Sequence, residues 1–252
     1  MFRHEGPARS PRANAVLAGY LAFVAGFVNS GGFVLIGTFT SHVTGSVGRM
    51  STDLTQGDVR AAISAAVLVL MFFGGSLAAS LILEGPGPGQ AARAYGRALA
   101  LEGILLAAFI FVAGLSKTTL PRWRDGEAAI LCAAMGAQNS LVTRLSGAVV
   151  RTTHLTGVVT DLGIEIARWW RWHLRRPRAS PASAEDEQRA ANRARIRLLL
   201  TIATTFIFGA LVGAATTALA SRWAMIAPSL AVWAAAGYAF RQHRTAAVSA
   251  SS

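Results

Sequence analysis

One cysteine, Cys132, occurs among 252 residues, so no disulfide can form within the chain. Its place in an apolar run makes it a small core residue. Charge is equally scarce. Asp, Glu, Lys and Arg make up 14 % of the residues, and acids number 12 against 24 bases. The chain has no Walker lysine loop, no His-Glu-x-x-His and no Gly-x-Ser-x-Gly. Two lone histidines with neutral neighbours fall short of a zinc site, which takes about three or four ligands. The expectation is no enzymatic activity, no metal and no cofactor. No cleavable signal peptide is expected either, because the first apolar run is too long for one and carries Asn29, Gly31 and Gly32.

What the chain does have is hydrophobicity, 53 % of its residues, gathered into long runs. We read six: Asn14–Ile36, Ala61–Leu83, Ala98–Leu115, Ala128–Leu145, Ile196–Ala220 and Trp223–Phe240. Each approaches the roughly 20 residues that cross a bilayer as a helix. They are too long and too evenly apolar for barrel strands. The expected fold class is all-α, a polytopic helical membrane protein. Residues 1–13 read as a disordered tail, 14–115 as one three-helix repeat, 116–126 as a connecting loop and 127–240 as a second three-helix repeat. A Pro/Ser/Ala-rich cytoplasmic linker is expected within 171–195, and 241–252 form a tail.

The net charge of +12 does not point to nucleic acid. Under a cytoplasmic N terminus most Lys and Arg fall on one side, including the cluster from Arg144 to Arg195. That bias predicts an inner-membrane protein with both termini cytoplasmic and basic contacts to anionic lipid. Trp169, Trp170, Arg171, Trp172, Arg175 and Arg176 form the aromatic and basic belt expected at that surface.

One motif is written twice. His42-Val43-Thr44-Gly45 follows the first apolar run and His154-Leu155-Thr156-Gly157 follows the fourth. Upstream, Gly26, Asn29, Ser30, Leu35 and Gly37 fall opposite Gly136, Asn139, Ser140, Leu145 and Gly147. Three spans per half is odd, so the second half must enter from the other face, an inverted repeat. Gly31, Gly32 and Gly37 are expected to weaken the first span, and a new helix to start near Thr40 or Ser41, capped by hydroxyls. Two such helix starts, flanked by His and Thr, would suit an anion or polar solute if they met near mid-membrane. The alternative is that Thr-Gly pairs serve close helix packing.

The candidate solute site is His42, Thr44, Asn29, Gln138, Asn139, His154 and Thr156. Glu102 lies close to the start of the third span; it is a coupling group, or it reaches the interface. Asp161 and Glu165 are one turn apart and form either a carboxylate pair or a solvated face, with Glu165 pairing to Arg168. Arg144 is expected at the cytoplasmic surface.

The segments Gly-Phe-Val-Asn-Ser-Gly-Gly-Phe (26–33), Thr-Ser-His-Val-Thr-Gly (40–45), Gly-Ala-Gln-Asn-Ser-Leu-Val (136–142) and Arg-Thr-Thr-His-Leu-Thr-Gly-Val-Val-Thr-Asp-Leu-Gly (151–163) resemble the YoaK-like bacterial membrane proteins (DUF1275). The likeness covers about residues 14–240. It implies a multi-spanning architecture and no assigned activity. Members commonly carry an acid where this chain has Asn29, and Asn where it has Ser46. Any proton coupling here would then fall to His42, His154 or Glu102. The leading expectation is a small-solute transporter or permease. The alternative is a non-transporting scaffold or sensor that uses the Trp/Arg helix and the linker. The sequence leaves the solute and the oligomeric state open.

Overall fold

The computed structural model describes residues 11–84, 90–115, 121–145, 155–175 and 182–251. His154 and the three residues before it lie outside them, as do residues 116–120 of the connecting loop expected at 116–126, whose remainder from Pro121 is helical. Every regular element among the described residues is helical. In chain order they are α1 (Pro11–Ile36), α2 (Val43–Thr55), α3 (Val59–Glu84), α4 (Ala91–Leu115), α5 (Pro121–Leu145), α6 (Leu155–Arg175), α7 (Ala182–Ala220) and α8 (Ile226–Ser251). A 3-10 turn, Ser221–Met225, joins the last two.

Among the described residues four segments are long and apolar enough to cross a membrane: Ala15–Ile36, Val59–Glu84, Ala91–Leu115 and Asn192–His243. The last is 52 residues long and takes in most of α7 and most of α8. Helix α5 is not among them, because Gln138, Asn139 and Arg144 dilute its apolar run. Outward side chains explain the membrane character. Leu70, Phe73, Leu81, Phe111, Leu211 and Leu230 are each at least 61 % exposed. In water each would forgo roughly 1.5–3 kcal/mol of burial, whereas hydrocarbon removes that cost.

Small residues set the helix crossings, as expected where backbones must approach closely without a hydrophobic drive between helices. In α1, Gly19, Gly26 and Gly31 meet Thr201, Phe206 and Thr217 of α7 in the same order, so the two helices run parallel. A Cβ on Gly26 would strike the Phe206 carbonyl, and one on Gly209 the Phe23 carbonyl. Helices α3 and α5 also run parallel. Gly136 sits on the Phe72 carbonyl, Gly75 on the Ala133 carbonyl, Ser80 bonds Ser140, and Glu84 pairs with Arg144 at their ends. Helix α5 opposes α1, because Gln138 reaches Leu21 while Leu131 lies against Gly32. Helices α4 and α8 are antiparallel, with Gly96 under Phe240 and Gly103 under Trp233.

These directions sort the chain ends. One end of the bundle collects the start of α1, the ends of α3, α5 and α8, the start of α4, and the α6–α7 junction. The other collects the end of α1, α2, and the 3-10 turn.

Two expectations change here. Gly31 and Gly32 do not break α1, which continues to Ile36. They are close-packing positions, against Met225 and Thr217 in one case and Thr40 and Leu131 in the other. The break falls at Gly37, whose φ of +81° only glycine adopts without strain. The stretch read as a flexible linker is largely helical, since α7 starts at Ala182. Alanines there, with Glu and Arg at helical spacing, favour a helix over a coil.

Candidate functional site

Below Gly37 the chain turns and restarts as α2. His42 is the N-cap residue, but its side chain makes no cap bond. The expected hydroxyl caps are absent. A carboxamide organises the turn instead: Asn29 Oδ1 accepts from the Thr40 amide at 3.0 Å, the Ser41 amide at 3.2 Å and the Ser41 hydroxyl at 3.1 Å. One acceptor thus satisfies two amides left by the helix break. Asn29 therefore holds the turn, and its acceptor oxygen is already occupied.

The His42 ring folds over Gly45, where a Cβ would run into the imidazole. That contact gives a packing reason for the glycine in His-x-Thr-Gly. The Phe39 ring meets His42 edge-on at 6.3 Å and stacks on Phe33 at 4.4 Å. Between these groups lies a cleft of about 180 Å³, whose polar lining is Thr38, His42, Ser46 and Arg49. Ala65 and Leu68 of α3 close its apolar side. Arg49 also pairs with Asp53 at 3.5 Å. Arg49 is absent from the site expected on sequence, although His42, Ser46 and Arg49 fall at i, i+4 and i+7, one face of a helix. Thr44 is exposed and does not line this cleft.

The second copy of the motif lies elsewhere. Its described residue Thr156 is exposed at the start of α6. Helix α6 is tied to the first turns of the membrane part of α7: Glu165 pairs with Arg168 at 2.8 Å and Arg195 at 3.3 Å and bonds Asn192 at 2.8 Å, and Asp161 pairs with Arg195 at 3.7 Å. Because α1 and α7 run parallel, that junction sits at the start of α1, while His42 comes after its end. At 1.5 Å per residue the two lie roughly 30 Å or more apart along the bundle. The His42 and Thr156 segments therefore do not meet at mid-membrane. Antiparallel α1 and α5 carry the two motif copies to opposite ends.

Three other predicted residues occupy the interior. Gln138 is fully buried; its Nε2 donates to the Leu21 carbonyl at 3.0 Å and its Oε1 has no partner. Asn139 is half-buried, and its backbone carbonyl accepts from Thr143. Glu102 is not at a helix end. Helix α4 begins at Ala91, so Glu102 stands midway along it, fully buried. Glu165 is nearly as buried, with three partners. Glu165 and Asp161 thus form a latch between helices and not an open carboxylate pair. Cys132 is buried and free, as expected of a core residue. Among the described residues no cluster of three or more His, Cys, Asp or Glu could hold a metal.

A family model described as protein of unknown function (DUF1275) matches residues 17–238. The chain belongs to that family. No curated protein and no solved structure matches it. What this DUF1275 protein does must therefore be argued from its own geometry.

Proposed function

We propose that this DUF1275 protein is a small-solute transporter or permease of the bacterial inner membrane, with six membrane helices in an inverted repeat. In that reading α1, α3 and α4 correspond to α5, α7 and α8, both termini are cytoplasmic, and the His42 and Thr156 segments stand at opposite faces.

The observation that carries the reading is the matched pair of crossings. Phe206 and Ala210 stand to Gly26 as Phe72 and Ser76 stand to Gly136. Gly209 stands to Phe23 as Gly75 stands to Ala133. Helix α2 packs on α3 as α6 packs on α7. Parallel pairs related this way, with α1 opposing α5, are what an axis in the membrane plane generates. Arginines lend the orientation: Arg93, Arg97, Arg144, Arg195 and Arg241 gather at the end where α1 starts, and Arg49, Arg60 and Arg222 at the other. The His42 cleft, with a cation and hydroxyls on one wall, fits a small polar or anionic solute.

Two measurements test this. First, sulfate, phosphate, amino acids and sugars are screened for thermal stabilisation of the detergent-purified protein, and a hit is tracked as flux into proteoliposomes. Stabilisation and flux lost in a folded His42→Ala support the reading; flux indifferent to that variant sinks it. Second, His42→Cys and Thr156→Cys are made in a Cys132→Ser background. A membrane-impermeant thiol reagent is expected to reach them from opposite faces, and labelling from the same face removes the inverted arrangement.

A scaffold or sensor is the second reading. It is favoured by the exposed strip Val159, Ile166, Trp170 and Leu174 of α6, bordered by Arg171. That strip suits the headgroup region of an anionic cytoplasmic leaflet. Deleting 177–188 separates the readings, since a scaffold loses its partner and a transporter keeps its flux.

A further inference from the structure

Glu102 is the most deeply placed ionisable side chain that no described contact explains. It is 0 % exposed, stands midway along α4, and neither of its carboxylate oxygens has a hydrogen-bond partner. Burying a bare carboxylate without a partner costs several kcal/mol, so such a group is retained where its occupancy matters.

Its surroundings offer no compensating cation. On the elements packed against α4, no charged residue occurs in α3 between Arg60 and Glu84, in α5 between Glu127 and Arg144, or in α8 before Arg241. The 3-10 turn brings Arg222, which lies near Gly114 at the far end of α4. On α4 itself Arg93 and Arg97 are exposed. Two phenols bear on it: Tyr95, buried two turns earlier on α4, and Tyr20 of α1, which lies within electrostatic reach. The Tyr20 hydroxyl donates to the Ala231 carbonyl of α8 at 2.5 Å, so that hydrogen is not available to Glu102.

We propose that Glu102 is a proton-exchange site midway along α4, on the helix that packs against α5 and α8, taking up and releasing one proton as the bundle closes and opens around it. Closed, the carboxyl is neutral and needs no counterion. Opened to water, it ionises to carboxylate plus a free proton. Nothing else is consumed. The site deepens the transporter reading by supplying its coupling ion, yet its chemistry is testable without any solute.

The test uses dicyclohexylcarbodiimide, a lipid-soluble reagent that adds to protonated carboxyls in apolar surroundings. The full-length protein in detergent is treated at mildly acid and at mildly alkaline pH, digested, and mapped by mass spectrometry. The expected result is modification in the fragment carrying Glu102, several-fold greater at acid pH, abolished by Glu102→Gln and unchanged by His42→Ala. Equal modification at both pH values would make Glu102 a permanently neutral structural acid and overturn the proposal. Protection by added sodium or lithium at constant pH would overturn it in favour of a metal cation. Absence of modification at either pH, with Glu102→Gln as stable and as active as the wild type, would overturn it as well. If flux fails and pH-dependent labelling persists, the solute reading is lost and the proton site stands.

Discussion

Helices α2 and α6 share a four-residue motif at their starts and do opposite things with it. Helix α2 has 13 residues, buries none of them, and carries one exposed ion pair, Arg49 with Asp53. Helix α6 has 21 residues, buries Val158 and Glu165, and is bolted to α7 through Arg195 and Asn192. The first leaves a cleft beside its histidine; the second is a fastened plate with tryptophans at its end. A shared motif therefore leaves open what the helix that follows it is used for. The residues downstream of each motif decide its use: Gly48-Arg49 in one case, and in the other Glu165, a buried acid facing an arginine.

The largest expected break in this comparison is Glu165→Ala. It removes a nearly buried carboxylate with its bonds to Arg168, Arg195 and Asn192; the arginines keep access to water, so the loss is that of the charge-assisted bonds, about 3 kcal/mol. A clear fall in Tm is expected, with α6 exchanging its amides faster than α7. Unchanged exchange in α6 would mean that the latch does not hold it. Next comes Asn29→Ala, which strips the acceptor from two amides and a hydroxyl, a loss of about 2 kcal/mol. Asn29→Asp keeps an acceptor in the same place and should recover most of the stability. If Asp is no better than Ala, the turn is not held by Oδ1. The smallest effect belongs to Arg49→Ala: the pair with Asp53 is exposed at the arginine, and such pairs are worth about 0.5 kcal/mol. Its Tm should barely move while binding in the His42 cleft weakens, and a large drop in Tm would make Arg49 a structural residue.

Much of the fold was legible along the chain, for plain reasons. Runs of outward Leu, Phe and Val must meet hydrocarbon, so the all-helical class comes from composition and length. Gly26 and Gly136 were legible as small residues in apolar runs, and each stands at a close helix crossing. Glu165 with Arg168 was implied by i, i+3 spacing, and appears at 2.8 Å. Other features were not legible. Hydropathy placed the third span too late, because Arg93 and Arg97 lower it where α4 is already helical, and so Glu102 looked peripheral when it is central. Asn29 looked like a solute ligand, since nothing local says that a residue in α1 will reach back to amides at Thr40 and Ser41.

By itself the sequence determined which segments are apolar helices, where glycine must sit, and that four letters, His-x-Thr-Gly, occur twice. These depend on local chemistry: transfer of side chains from water, backbone freedom, and spacing along one helix. Only the tertiary structure decided that His42 and Thr156 stand at opposite ends, that Glu165 is a latch, and that Glu102 is buried midway along α4. Those depend on the direction in which helices distant in sequence pass each other. Direction is set by packing between elements, and no single segment carries it.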